Sequence, residues 1–278
     1  EQEGFIFDSG ARSIENSGVI RPMLKELDIE LDLLDSPVSL GIADKIIDFT
    51  SKDSIQQYQD LLVDLYPKEE KGIKKIFKVI KRIMRSMHGI YGFDNPIFRD
   101  FKKDKKYLFL ELIPQMRHFL PAVWRMNKMT EPVEDFLTKF TQDQSLIDII
   151  CQHFFYRTNV FFALGYYYVY GDYIYPKGGT GQVTQKLADK TIEFGGKIQY
   201  NTLIENIDPK NKIITDKYEN TYEYERLIWC ADLKFLYKNL EIEGLDNKIR
   251  EKVSKTAEVL LSKRGGDSVF SLYLGVNL

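Results

Sequence analysis

Between residues 68 and 88 the apolar side chains Ile73, Ile76, Phe77, Ile80, Ile83, Met84 and Met87 recur at steps of three and four, which predicts one long amphipathic helix. The positions between them carry Lys71, Lys74, Lys75, Lys78, Lys81, Arg82 and Arg85, so the opposite face is strongly basic. An earlier helix is expected from Asp53-Ser54, read as its cap, to Tyr66, and Pro67 stands where the long helix can begin. Further helices are predicted over 107–124, 132–140 and 144–154, with Pro114 and Pro121 kinking or dividing the first. No strand-like alternation interrupts this stretch. Residues 51–152 therefore read as a helical insertion.

Strands and helices alternate on either side of it. Phe5 to Asp8 reads as a short strand ended by Ser9-Gly10. Asn16-Ser17-Gly18 offers an N-cap to a helix reaching Leu27, with Val19, Met23, Leu24 and Leu27 on one face. Segments 38–43 and 45–49 form a hairpin about Asp44. After Phe155 a strand over 173–175 leads through Pro176-Lys177-Gly178-Gly179-Thr180-Gly181 into a helix with Val183, Leu187 and Ile192 inward. That helix stops at Gly195-Gly196, which can take a left-handed C-cap. Short strands are expected at 197–200, 203–207, 212–215, 222–224 and 226–230, with Asp208-Pro209-Lys210-Asn211 as a hairpin turn. Helices over 232–240 and 246–262 and a strand over 268–276 follow. The expected fold class is α/β of the α+β kind. Residues 1–50 and 153–278 form an α/β body around a mixed sheet, and 51–152 are the helical insertion.

Composition narrows the function classes. Among 278 residues, 18 Phe and 17 Tyr lift the aromatic share to 13%, which suits a dense core or an apolar binding site. A formal net charge of -2 gives no overall attraction to nucleic acid. The 2 cysteines, Cys151 and Cys230, are too few for a disulfide framework and point to a reducing, cytoplasmic setting. The chain opens on Glu1-Gln2-Glu3, without the basic start of a signal peptide, and enters a strand as though cut into. No apolar stretch is long enough to span a bilayer.

Candidate chemistry is sparse. The glycines at 178–181 follow a strand and open a helix, where backbone amides can hold an anion. They match neither G-x-G-x-x-G nor a P-loop, so a tight turn is the plainer reading. His88, His118 and His153 are scattered without metal-ligand spacing, and no nucleophile elbow or Cys-His arrangement is present. The basic helix over 68–88 is either a solvated face or a surface that leans on anionic lipid, as a peripheral membrane contact. His153-Phe154-Phe155-Tyr156 and the run from Phe161 to Tyr170 concentrate rings as a buried core segment or as the wall of a long apolar cavity.

The turn from Tyr175 to Gly181, the helix after it, Gly195-Gly196-Lys197-Ile198 and the run from Leu203 to Ile207 resemble the phytoene desaturases, carotenoid isomerases and retinol saturases. Thr180 stands where that family often has Met. Gly4-Phe5-Ile6-Phe7-Asp8-Ser9-Gly10 is similar to the segment following the family's FAD-binding start. Cys230-Ala231-Asp232 is similar to its strand-end Ala-Asp, and 269–275 to the strand before its C-terminal third. The family's opening G-x-G-x-x-G and its closing FAD motif do not occur in this sequence.

The resemblance implies an FAD-dependent oxidoreductase that moves hydride between flavin and a long apolar, isoprenoid-like substrate. It implies Gly10, Ala11 and Arg12 near the isoalloxazine, Ile204 near the adenine and Ala231 close to the dinucleotide. Phe155, Phe162 and Tyr166 are the expected substrate lining. No catalytic acid or base is named, and no metal is expected. FAD is expected not to be retained by this chain alone. Two alternatives stay open: an amine-oxidase-like flavoenzyme, and a non-catalytic lipid- or partner-binding module on a degenerate flavin scaffold.

Overall fold

The computed structural model describes residues 7–8, 13–15, 18–51, 53–98, 103–264 and 272. The described residues fall into two compact units, one within 1–194 and one within 195–272. Helices and small antiparallel sheets make up both, an α+β fold.

The first unit opens with β1 (Ile14–Glu15), α1 (Ile20–Glu26) and β2 (Leu33–Asp35), followed by the hairpin β3 (Ser39–Ile42) and β4 (Lys45–Asp48). The hairpin turns at Ala43, whose φ of 55° lies in the left-handed region, and pairs Ile42 with Lys45. Then come α2 (Ser54–Leu65), a 3₁₀ turn at Pro67–Glu69 and α3 (Glu70–Tyr91). The rod that follows is built from α4 (Lys105–Tyr107), a π turn (Leu108–Leu112) and α5 (Ile113–Lys128). Next are α6 (Val133–Leu137), α7 (Gln144–Cys151), α8 (Val160–Val169), β5 (Tyr173–Pro176) and α9 (Gly181–Glu193).

α3 is the centre of this unit. Its apolar stripe is buried as the spacing predicts, with Ile73, Ile76, Phe77, Ile80 and Ile83 fully enclosed, while Lys71, Lys74, Lys75, Lys78, Arg82 and Arg85 stay exposed. It packs against α2, α5 and α8. Gly72 lets its first turn approach the chain after α6, because a Cβ there would lie 2.4 Å from the Phe140 carbonyl oxygen. Tyr58 and Tyr167 fill the space between α2 and α8, their ring centroids 5.7 Å apart. The Tyr167 hydroxyl donates to the Ile150 carbonyl at 3.0 Å, whereas the buried Tyr58 hydroxyl has no hydrogen-bond partner.

Helix structure does not stop at residue 152. The aromatic run folds as α8, capped by Asn159, whose side chain accepts from Phe162 N at 2.9 Å. Being apolar on every side, α8 is enclosed on most of them. α2 also starts differently from expectation: the Asp53 side chain makes no cap bond. Ser54 Oγ instead accepts from Ser51 N and donates to the Asp48 carbonyl, tying the helix to β4. Asn16 and Ser17, read as a cap, lie outside the described residues, and α1 begins at Ile20 with no side-chain cap.

The second unit holds β6 (Ile204–Asp208), β7 (Ile213–Asp216), β8 (Thr221–Glu223), α10 (Leu233–Lys238) and α11 (Asn247–Ser262). The strands form an antiparallel meander in the order β6-β7-β8. Asp208 nucleates the first turn, accepting from Lys210 N, Asn211 N and Asn211 Nδ2. Asp216 does the same for the second, with Tyr218, Asn220 and Tyr222 as donors. A parallel bridge joins Ile207 to Leu240 at the exit of α10.

Two expected strands are absent. Residues 197–200 and 226–230 lie in no sheet, and Ile228 is almost fully exposed. Alternation is not sufficient there, because a strand exists only against a neighbour. Ile192, expected inward on α9, is exposed, and α9 has no buried residue. Phe7 and Asp8, the described end of the expected 5–8 strand, lie in none, and the expected 268–276 strand falls outside the described residues except Leu272.

Candidate functional site

β5 is the middle strand of a three-stranded sheet, in the order β1-β5-β2, with Ile14 opposite Ile174 and Leu34 opposite Tyr175. It delivers the chain to Gly178 and Gly179, whose φ of 91° and 101° suit glycine, and these reverse it into α9. Against this turn sits Asp8. Its carboxylate accepts from the Tyr175 hydroxyl at 2.6 Å, from Thr180 N at 3.0 Å and from Thr180 Oγ1 at 2.9 Å. These bonds, the Tyr175 one foremost and partly opposed by burial, hold the Asp8 carboxyl below the usual carboxylate value. The same contact pushes the Tyr175 hydroxyl up.

Several amides at this helix start already have partners. Gly179 N bonds the Pro176 carbonyl, Gln182 N the Gly179 carbonyl and Val183 N the Thr180 carbonyl, and Asp8 supplies the anion. The anion held at this turn is the Asp8 carboxylate. The plainer reading of the glycines as a tight turn agrees with this geometry.

The expected substrate-lining residues meet in one cluster with Phe154 at its centre. The Phe154 ring lies 6.3 Å from Phe155, 5.0 Å from Phe162 and 5.1 Å from Tyr166, each edge-on. Phe155 and Phe162 are exposed, while Tyr166 is half-buried and shares a hydroxyl–hydroxyl hydrogen bond with Tyr173 of β5. His153 stacks on Tyr166 with centroids 5.8 Å apart and meets Tyr167 edge-on at 4.7 Å. Burial pushes its imidazole pKa down, against a 3.0 Å contact from Nε2 to the Ala163 carbonyl. The neutral ring donates through Nε2, which leaves the buried Nδ1 as a lone pair without a partner.

Beside the cluster opens a cleft of about 390 Å³, lined by Glu134, Asp135, Asp148, Cys151, Phe154 and Tyr156 among others. Burial, with Glu134 and Asp148 adding to it, pushes the Cys151 thiol up to about 12, so it is no nucleophile at neutral pH. Arg157 partly occupies the rim, its guanidinium 3.3 Å from Asp135 and its backbone N bonded to Glu134. A larger, open cleft of about 670 Å³ lies along residues 21–33. Among the described residues no group of His, Cys, Asp and Glu could hold a metal ion.

The residues expected around the cofactor are not gathered in one described place. Gly10, Ala11 and Arg12 lie outside the described residues. Ile204 begins β6 in the second unit, half-buried, where the register to β7 shifts. Ala231 is exposed one residue before Asp232, which caps α10 through Phe235 N at 2.6 Å. Trp229 stacks on Phe235 at 6.1 Å beneath that cap.

From sequence, Asp8 is visible only as a member of the 4–10 motif, and His153 and Phe154 only as members of the aromatic run. An acid in a glycine-rich segment, set beside a helix start whose own cap residue is Thr, is the signal for the first. The other two needed the register of α8. No family model matches the chain, and comparison with curated proteins gives no match.

Proposed function

We propose that this protein is an FAD-dependent oxidoreductase that acts on a long apolar, isoprenoid-like substrate. What supports the reading most is the bonding of Asp8 to Tyr175 and Thr180. It joins the two segments that carry the resemblance, residues 4–10 and 175–181, although they stand 172 positions apart. FAD, when bound, supplies hydride transfer. The assignment of Gly10, Ala11 and Arg12 to the isoalloxazine, Ile204 to the adenine and Ala231 to the dinucleotide rests on the resemblance alone. Phe155, Phe162 and Tyr166 hold the apolar substrate through ring faces that stay accessible on the first two.

The amine-oxidising alternative draws on a different observation. The cleft beside Phe154 carries Glu134, Asp135 and Asp148 with the Tyr156 ring, a lining suited to a cationic amine. Extraction of bound chromophores from the natively expressed protein separates the readings. Flavin with a co-purified polyene supports the first. Flavin that is bleached by amines but not by polyenes favours the second. A protein that takes up no flavin even from excess FAD excludes both and leaves the non-catalytic module.

A further inference from the structure

The rod over 105–128 is fixed to the rest of its unit along one side. Gln115 Nε2 bonds the Gly89 carbonyl at 3.3 Å, Ala122 is buried, and Arg125 bonds Ser86 Oγ of α3. The side away from these anchors carries Phe109, Ile113, Arg117, Leu120, Trp124 and Lys128, at successive steps of four, four, three, four and four. All six are exposed, Phe109 at 60%, Leu120 at 64% and Trp124 at 60%. Leu110, at 66%, widens the row. An exposed apolar strip of this length marks an interaction site.

The charges on the row identify the partner. Arg117 and Lys128 lie in it, and Lys105 stands one further step of four before Phe109. Of the neighbouring acids, Glu111 is off the row, Asp104 caps the first turn through Tyr107 N, and Glu131 beyond the far end is paired with Lys139 at 2.6 Å. Lys128 Nζ sits 4.0 Å over the Trp124 ring, so an aromatic and a cation end the strip together. We propose that this face docks on an anionic phospholipid surface, with the rod lying in the headgroup plane. Trp and Phe enter the acyl boundary while Lys and Arg meet phosphate and carboxylate headgroups. A second copy of the same face would set its cations against one another, which disfavours self-association. The mode is lying rather than spanning, since no helix among the described residues is long and apolar enough to cross a membrane.

The basic helix α3 offers less to a bilayer. Its apolar stripe is enclosed in the core, which leaves charge without an inserting surface. The proposal rests on the surface alone and is independent of the flavin reading.

The test is co-sedimentation of the purified chain with vesicles of phosphatidylcholine, with and without phosphatidylserine, at low and high salt. The expected result is binding to the anionic vesicles only, weakened by salt, with a blue shift of tryptophan emission that Trp124→Phe lacks. Ile113→Glu with Leu120→Glu lowers the affinity by about tenfold or more, and so does Arg117→Glu with Lys128→Glu. Lys74→Glu with Lys78→Glu on α3 leaves it within about twofold. These side chains are exposed, and circular dichroism checks that each variant stays folded. Failure of the unaltered chain to bind anionic vesicles overturns the proposal. So does binding that survives Ile113→Glu with Leu120→Glu, or an oligomer that this pair dissolves in a chain that ignores vesicles.

Discussion

The Asp8 carboxylate accepts from both the backbone N and the hydroxyl of Thr180, at 3.0 and 2.9 Å, and so caps a helix from 172 residues away. An intrinsic cap would come from the residue beside the helix, but here Thr180 makes no such bond within its own helix. The start of α9 therefore depends on the N-terminal segment.

Because its bonds depress the Asp8 carboxyl, the contact stabilises the fold fully above the ordinary value of 3.8 and loses that contribution as pH falls through the lower folded-state value. Denaturant unfolding followed at neutral pH and well below 3.8 should show a drop that Asp8→Asn reduces. Hydrogen exchange at Thr180 N should quicken in Asp8→Ala while amides of α3 stay protected. Unchanged exchange at Thr180 would mean the cap is unimportant.

Gly72→Ala should destabilise the protein by about 1–3 kcal/mol although Ala is the better helix former. The clash is with a backbone oxygen, that of Phe140, which cannot swing aside. Chemical denaturation measures it. A stabilised variant would place the chain after α6 farther from α3.

Tyr58 and Tyr167 are both buried, yet only the second bonds through its hydroxyl. Tyr167→Phe should cost about 1 kcal/mol, while Tyr58→Phe should be neutral or stabilising. Parallel thermal melts decide between equal and unequal effects.

Thiol labelling of the native chain should proceed in two phases. Cys230 is exposed and reacts first, and Cys151, half-buried and with its thiol pushed up to about 12, reacts more slowly. Cys230→Ser should remove the fast phase. Fast labelling that persists in that variant would show Cys151 to be accessible.

This chain should hold FAD only weakly. It contains no G-x-G-x-x-G, and the glycine turn at 178–181 already donates to Asp8. Without charge-assisted pyrophosphate bonds the affinity falls by several kcal/mol, about a thousandfold or more. Flavin fluorescence during titration reads it. Micromolar or tighter binding would relocate the cofactor site.

The sequence made the periodic elements plain. α3, the β3–β4 hairpin, the passage from β5 through the glycines into α9, and the β6–β7 turn all follow from local spacing or turn chemistry. α8 escaped because a run that is apolar on every side has no period to read, so its helix showed only through what packs around it. At 197–200 and 226–230 the opposite happened: the pattern was there and the neighbouring strand was not. The candidate site was legible as two motifs and a cluster of rings. Their joining through Asp8 and Phe154 depends on long-range packing, which no window of sequence contains.

The placing of β5 between β1 and β2 has a consequence during synthesis. A ribosome releases β1 and β2 long before the strand that must separate them. In that interval the helices from α2 to α8 emerge and can collapse on one another through local contacts. The two early strands meanwhile keep open edges, and Asp8 has no helix start to cap. A chain stalled before residue 173 would thus carry a formed helical core beside an unfinished sheet, the state most prone to pairing with another chain.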